Sequence, residues 1–198
     1  LLARRGRLNG RPLLYRDLPS DLVNAVISIE DRRYWDHFGI DPRGFARAMF
    51  SNLRAGAMVQ GGSTLTQQLA KNVFLAPDRT VKRKVQELLL AFWMEANLSK
   101  EEILALYMNR VYFGAGAYGV HAAAETYYAR PVQELSLGEA AILAGLLKAP
   151  SRLAPNRNPE GAKDRARLVL QAMVDNGVIT ADRLATDPLA SVQIVTRS

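Results

Sequence analysis

Apolar residues recur along this chain at helical rather than strand spacing. After Pro19, residues Leu22, Ala25, Val26 and Ile29 fall on one face behind Ser20 as the expected N-cap. This predicts a helix that delivers Glu30 and Asp31 at its C-terminal end, where the helix dipole disfavours carboxylates. Asp41-Pro42 reads as N-cap and N1 of a second helix, with Phe45, Met49, Phe50 and Leu53 as its stripe and Arg43, Arg47 and Arg54 as a basic flank. Residues 55–62 have no periodicity and three glycines, and read as a moving loop. Ser63 is the expected cap of a third helix that places Thr64, Gln68 and Lys71 on one face. Thr80 starts a fourth, striped by Val81, Val85, Leu88, Leu89, Phe92 and Ala96. Ser99 to Glu102 and Ser136 to Glu139 are capping boxes, and Asn176-Gly177 is a C-cap signal. Alternation of the strand kind appears only over residues 192–196. The expected fold is mainly α.

Composition narrows the chemistry. With 198 residues, 48% hydrophobic and 23% charged, the chain can bury a core and is not disordered. No apolar run approaches the roughly 18 residues of a membrane-spanning helix. Cysteine is absent, so thiolate nucleophiles, thiolate metal sites and disulfides are excluded, and two histidines leave little room for zinc. Lys and Arg number 26 against 19 acids, a net charge of +7 that favours an anionic partner. Arg4, Arg5, Arg7, Arg11 and Arg16 make residues 1–19 a basic arm. The expected organisation is that arm, a single domain over 20–187, and the start of a linker at 188–198.

Two glutamates stand out as candidate acid–base groups. Arg83, Glu87, Leu90 and Met94 share the side of the fourth helix opposite its main stripe, and residues 88–94 are apolar all round, which predicts burial on every side. Glu87 then lies at the edge of a buried stretch, its charge held by Arg83 and Lys84; the plainer alternative is a surface Glu–Arg pair. Glu30 opens a segment dense in acids, arginines and aromatics, an environment that tunes a carboxylate either way. Gly61-Gly62-Ser63-Thr64 ahead of a helix suits an anion, or is simply a glycine hinge with a cap. It is not a Walker loop. Gly114, Gly116 and Gly119 form no phosphate fingerprint, and His37 alone is more often structural than catalytic.

Taken in order, five segments resemble the signatures of the peptidoglycan glycosyltransferases, the transglycosylase domain of class A penicillin-binding proteins and their monofunctional relatives. These are Glu30-Asp31-Arg32-Arg33-Tyr34-Trp35-Asp36-His37-Phe38-Gly39, Gly61 to Asn72, Arg83 to Glu87, Tyr107 to Gly114 with Gly119, and Leu137 to Pro150. Tyr34-Trp35 and Tyr127 to Arg130 depart from the usual pattern.

The resemblance implies a lysozyme-like helical head with a smaller, mobile, membrane-proximal jaw at about residues 40–62. It implies polymerisation of lipid II into β-1,4 glycan with inversion, releasing undecaprenyl pyrophosphate. By position, Glu30 is the general base toward the acceptor hydroxyl. Glu87 is the second catalytic glutamate near the donor pyrophosphate, its role as acid or as positioner of phosphate or metal left open. Asp31, His37, Ser63, Thr64, Gln68, Lys71, Asn72, Arg79, Arg83, Lys84 and Tyr112 are the implied substrate-binding positions. A divalent cation, Mg or Mn, bound with the pyrophosphate is implied, with no clustered protein ligand set and no organic cofactor. The implied setting is the outer face of the cytoplasmic membrane, with an anchor upstream and a transpeptidase domain following in a full-length chain. Two rivals are weighed: a lytic enzyme sharing the fold and a catalytic glutamate, and a basic nucleic-acid or membrane-binding module. The first has less need of cations around Glu87, and no nucleic-acid motif supports the second.

Overall fold

The computed structural model describes residues 12–56, 61–74 and 80–195. Arg4, Arg5, Arg7 and Arg11 of the basic arm, much of the 55–62 loop, and Arg79 lie outside the described residues. Nine α-helices are seen there: α1 (Ser20–Glu30), α2 (Pro42–Ala55), α3 (Leu65–Phe74), α4 (Val81–Asn97), α5 (Lys100–Arg110), α6 (Val120–Tyr128), α7 (Leu137–Leu146), α8 (Pro159–Asp175) and α9 (Ala181–Ala185). The fold is mainly α. Its one small sheet pairs β1 (Tyr112–Gly114) with β2 (Ala117–Tyr118), antiparallel, with Tyr112 opposite Tyr118. The expected alternation at 192–196 gives no strand over its described residues. Strand pairing instead arises in the glycine-rich turn, because Gly114, Ala115 and Gly116 all take positive φ and fold the chain back on itself.

The described residues divide into two compact units. One comprises residues 12–29 and 108–195. Its centre is α7, buried along its whole length and packed against the Ala162, Ala166, Val169, Leu170 and Met173 face of α8. The expected capping box holds: Ser136 Oγ accepts from the Glu139 amide at 3.3 Å, and Glu139 Oε2 accepts from the Ser136 amide at 2.8 Å. A Cβ at Gly138 would come within 2.0 Å of the Pro188 carbonyl, so this helix admits the returning chain only with glycine there. Leu189 and Val192 are buried, and the Val195 amide donates to the Tyr127 carbonyl at 2.8 Å. Residues up to 195 are therefore part of this unit's packing. Asn109 pairs both ways with the backbone of Leu13, at 3.0 and 2.8 Å, tying the segment before α1 to the end of α5.

The other unit runs over residues 30–107 and packs α3 on α4. A buried polar network braces it. Glu95 Oε1 accepts from Thr66 Oγ1 at 2.6 Å and from Lys100 Nζ at 2.8 Å. Tyr34, fully buried, donates its hydroxyl to the Lys100 carbonyl at 2.6 Å while the Lys100 ammonium lies 4.6 Å from its ring centre.

The fourth helix corrects the sequence-based expectation. Residues 88–94 are not enclosed on all sides: Leu89 is 64% exposed and Trp93 58%. The buried face is Glu87, Ala91 and Met94, whereas Val81, Val85 and Leu89 of the apolar stripe point outward. On α2, Phe45, Met49, Phe50 and Leu53 are likewise exposed, with Ala48 turned in.

Candidate active site

The site is built within the 30–107 unit, on the segments that begin and end its helices. Glu30 closes α1. The chain then turns through Asp31 to Phe38, and that turn is fastened from both ends. His37 Nε2 lies 2.9 Å from both carboxylate oxygens of Asp31, and the pair is buried. Asp31 Oδ2 also accepts from the Leu65 amide at 2.9 Å. A carboxylate of the chain itself thus sits at the N-terminus of α3 and anchors the motif loop to that helix. Asp41 caps the start of α2 by position, yet its carboxylate bonds no α2 amide; it takes Arg33 at 3.1 Å. Gly44 leaves the room this requires, because a Cβ there would meet the Asp41 carboxylate.

Ser63 was the expected cap of α3; the structure assigns that role to Thr64. The Thr64 Oγ1 accepts from the Gln67 amide at 3.2 Å and donates to the Gly39 carbonyl at 2.7 Å. One hydroxyl therefore ends the first motif loop and begins the second. The shift by one residue frees Ser63 Oγ to accept from Lys84 Nζ at 3.3 Å. Gly62 passes against α2, where a Cβ would come within 2.8 Å of the Phe45 ring.

An open cleft lies between these segments, lined among others by Glu30, Asp31, Arg32, Arg47, Ser63 and Thr64. Gln68 donates from Nε2 to Glu30 Oε2 at 3.0 Å, and Tyr107 donates its hydroxyl to Gln68 Oε1 at 3.0 Å. Burial, and secondarily the Glu30 charge, hold the Tyr107 phenol well above its ordinary value of 10.0. Arg47 is the cleft's unusual cation: burial first, then the neighbouring Arg32 charge, lower its pKa. Two guanidiniums held near one another in a cleft favour a bound anion.

Glu87 is 2% exposed, although the fully enclosed 88–94 stretch that was to place it at a buried edge is not seen. Its partner is Lys84, whose Nζ lies 2.5 Å from Oε1, and not Arg83. From i−3, Lys84 reaches the buried carboxylate and Ser63 together. Arg83, at i−4, has a buried Nε without a hydrogen-bond partner among the described residues. Lys71 and Asn72 are exposed near the end of α3. Tyr112 lies on β1 of the other unit, its ring 4.8 Å from that of Tyr118. Glu30, Asp31, His37, Ser63, Thr64, Gln68, Lys84 and Glu87 are thus joined by direct bonds or a shared cleft. Tyr107, Arg32 and Arg47 are the members that sequence reasoning did not single out. Tyr107 stood inside a quoted motif, but its partner is 39 positions away; the basic flank of α2 was the available signal for Arg47.

Among the described residues no group of three or more His, Cys, Asp or Glu gathers as a metal site. Of the acids here, Asp31 is engaged by His37, Asp41 by Arg33, Glu87 by Lys84 and Glu95 by Lys100. This donor set does not fit a resident divalent cation.

Residues 2–174 match the family model described as Transglycosylase. Penicillin-binding protein 1A of Aquifex aeolicus (strain VF5) is 51% identical over 166 residues, 84% of this chain and 23% of that protein. The penicillin-binding protein 1A of Vibrio cholerae serotype O1 is 47% identical over 180 residues, 91% of this chain and 22% of its own length. That of Escherichia coli (strain K12) is 45% identical over 180 residues, 91% and 21%. The chain spans about a quarter or less of the curated relatives it matches. A 2.6 Å crystal structure of penicillin-binding protein 1A from Haemophilus influenzae aligns with a TM-score of 0.56 at 22% identity, over 96% of this chain and 19% of that one, a likeness of fold.

Proposed function

Because the chain belongs to the transglycosylase family and is thereby a glycosyltransferase of cell-wall synthesis, we propose that it polymerises lipid II, with Glu30 as the base and the Lys84–Arg83 pair as the pyrophosphate grip. The observation that carries this is the division of labour between two buried-edge glutamates. Glu30 lines the open cleft and accepts from the Gln68 amide, which places its carboxylate where it can take a proton from an acceptor hydroxyl. Glu87 is buried against the Lys84 ammonium, so it fixes a cation beside the cleft.

The chemistry asks for this asymmetry. Pyrophosphate leaves well once its developing charge is met by cations, and needs no strong acid. Glu87 holds Lys84 beside Ser63 at the cleft rim, and the unpartnered Nε of Arg83 offers a second donor. Attack by the base-activated 4-hydroxyl on the face opposite the leaving pyrophosphate inverts the anomeric carbon and yields a β-1,4 link. A divalent cation, where one takes part, would come with the substrate and add charge neutralisation to that of Lys84 and Arg83. The membrane side is served by the outward apolar face of α2, bordered by Arg43 and Arg54, which suits an acidic bilayer surface. No helix of the described residues is long and apolar enough to cross a membrane. In a longer chain, the partner domain we propose is a transpeptidase.

Incubation of the protein with labelled lipid II in detergent tests this. A ladder of lysozyme-digestible glycan is expected. Absence of a ladder together with cleavage of preformed strands would move the chain to lytic chemistry.

A further inference from the structure

Three side chains from three helices form one relay: Tyr107 of α5 to Gln68 of α3 at 3.0 Å, and Gln68 to Glu30 at the end of α1 at 3.0 Å. A primary amide can sit either way round, and both of its ends here select the same orientation. Tyr107 is 1% exposed, so its hydroxyl has no bulk water to donate to and must find an acceptor; Gln68 Oε1 is that acceptor. Burial keeps the phenol protonated far into the alkaline range, so it remains a donor wherever the enzyme works. At the other end a carboxylate repels an amide oxygen and attracts an amide N–H. Flipping Gln68 would set its oxygen against the Glu30 carboxylate and, although the phenol oxygen can accept from an amide N–H, would leave the buried tyrosine O–H with no acceptor on the amide.

We infer that Tyr107 is a positioning residue for the reaction: by pinning the Gln68 oxygen it fixes the amide N–H on Glu30 Oε2, which sets the direction and charge of the base. The inference rests on Glu30 being that base. Other charged groups facing the cleft are Asp31 and Arg32 beside Glu30, Asp41 just before α2 and Arg47 on α2; α3 and the segment leading into it contribute the uncharged Ser63, Thr64 and Gln68. Asp31 and Asp41 are tied to His37 and Arg33, so Tyr107→Phe leaves this charged surround in place.

The test compares Tyr107→Phe, Gln68→Ala and the double variant with the parent chain in lipid II turnover, alongside Glu30→Gln. Loss of the relay should lower kcat about ten- to a hundredfold, the scale of a hydrogen bond to a charged group, and for Tyr107→Phe KM should stay within about twofold. The acid limb of the pH–rate profile should move to higher pH, since a carboxylate deprived of its donor protonates more readily. The double variant should be no slower than Gln68→Ala alone, because Tyr107 acts through Gln68. A parent-like rate and pH profile for Tyr107→Phe, or additive losses in the cycle, would overturn the inference. Should Tyr107→Phe fail to fold, 3,5-difluorotyrosine at 107 keeps the ring and donates more strongly. The acid limb is then expected at lower pH, and an unmoved limb contradicts the relay. Full turnover by Glu30→Gln would instead sink the base assignment itself, and this inference with it.

Discussion

Arg83 and Lys84 show how one residue of helical phase divides two roles. Both lie one turn before Glu87, and a helix brings i−3 and i−4 equally within reach. The sequence placed a cation on Glu87 but could not choose which; the structure chooses Lys84. Arg83 keeps a buried Nε that no protein group satisfies among the described residues, an arrangement that costs stability and is relieved by an anion. Arg83→Ala should therefore lower kcat/KM by tenfold or more on lipid II while stability stays within about 0.5 kcal/mol, because its Nε holds no hydrogen bond among the described residues. Parallel kinetics and denaturant melts check this; a stability loss matching the activity loss would return Arg83 to a structural pair. Lys84→Ala should differ in kind. It strands a carboxylate that is 2% exposed, so a destabilisation of about 1–3 kcal/mol is expected as well as lost activity. Tyr107 was the residue least legible beforehand, since nothing local in a helix announces a partner 39 positions away.

At the scale of elements, existence and capping were legible and facing was not. The capping boxes at Ser99 and Ser136, Pro42 at N1 of α2 and the Asn176-Gly177 stop follow from short-range hydrogen-bonding rules and appear as expected. The apolar stripe of α4 predicted a buried face, yet Val81 is 82% exposed and the polar Glu87 side turns inward. Periodicity reports which side of a helix is apolar, not what covers it. On α2 the same outward face stands beside arginines, and we expect Leu53→Glu to weaken sedimentation with acidic vesicles several-fold. Leu53 is 75% exposed, so its melting temperature should scarcely change; undiminished vesicle binding would remove α2 from the membrane contact. Thr64 makes the opposite kind of prediction. As the cap of α3, its replacement by Ala should cost about 1–2 kcal/mol in urea unfolding. A neutral result would deny it the cap.

For the molecule as a whole, the mainly α class, the basic surface and the order of the five motifs were readable from the chain; the grouping into two units depends on contacts between residues far apart in sequence. Buried phenols add a global property. Burial raises the pKa of Tyr127 to about 12 and drives Tyr128 and Tyr107 upward as well. An unfolded tyrosine ionises near 10, so between about pH 10 and 12 the unfolded chain holds fewer protons and stability falls as pH rises. The tyrosine contribution is full below pH 10 and lost beyond 12. Melting temperatures across that range should fall steeply, and less so for Tyr128→Phe.

The central claim is that Glu30 takes the acceptor's proton while cations near Glu87 carry the leaving pyrophosphate. Its most direct test is glycan synthesis from lipid II by the parent chain and by Glu30→Gln, with melting temperatures measured on the same samples. A ladder from the parent and none from Glu30→Gln, at an unchanged melting temperature, is expected. A ladder from the folded Glu30→Gln protein would contradict it.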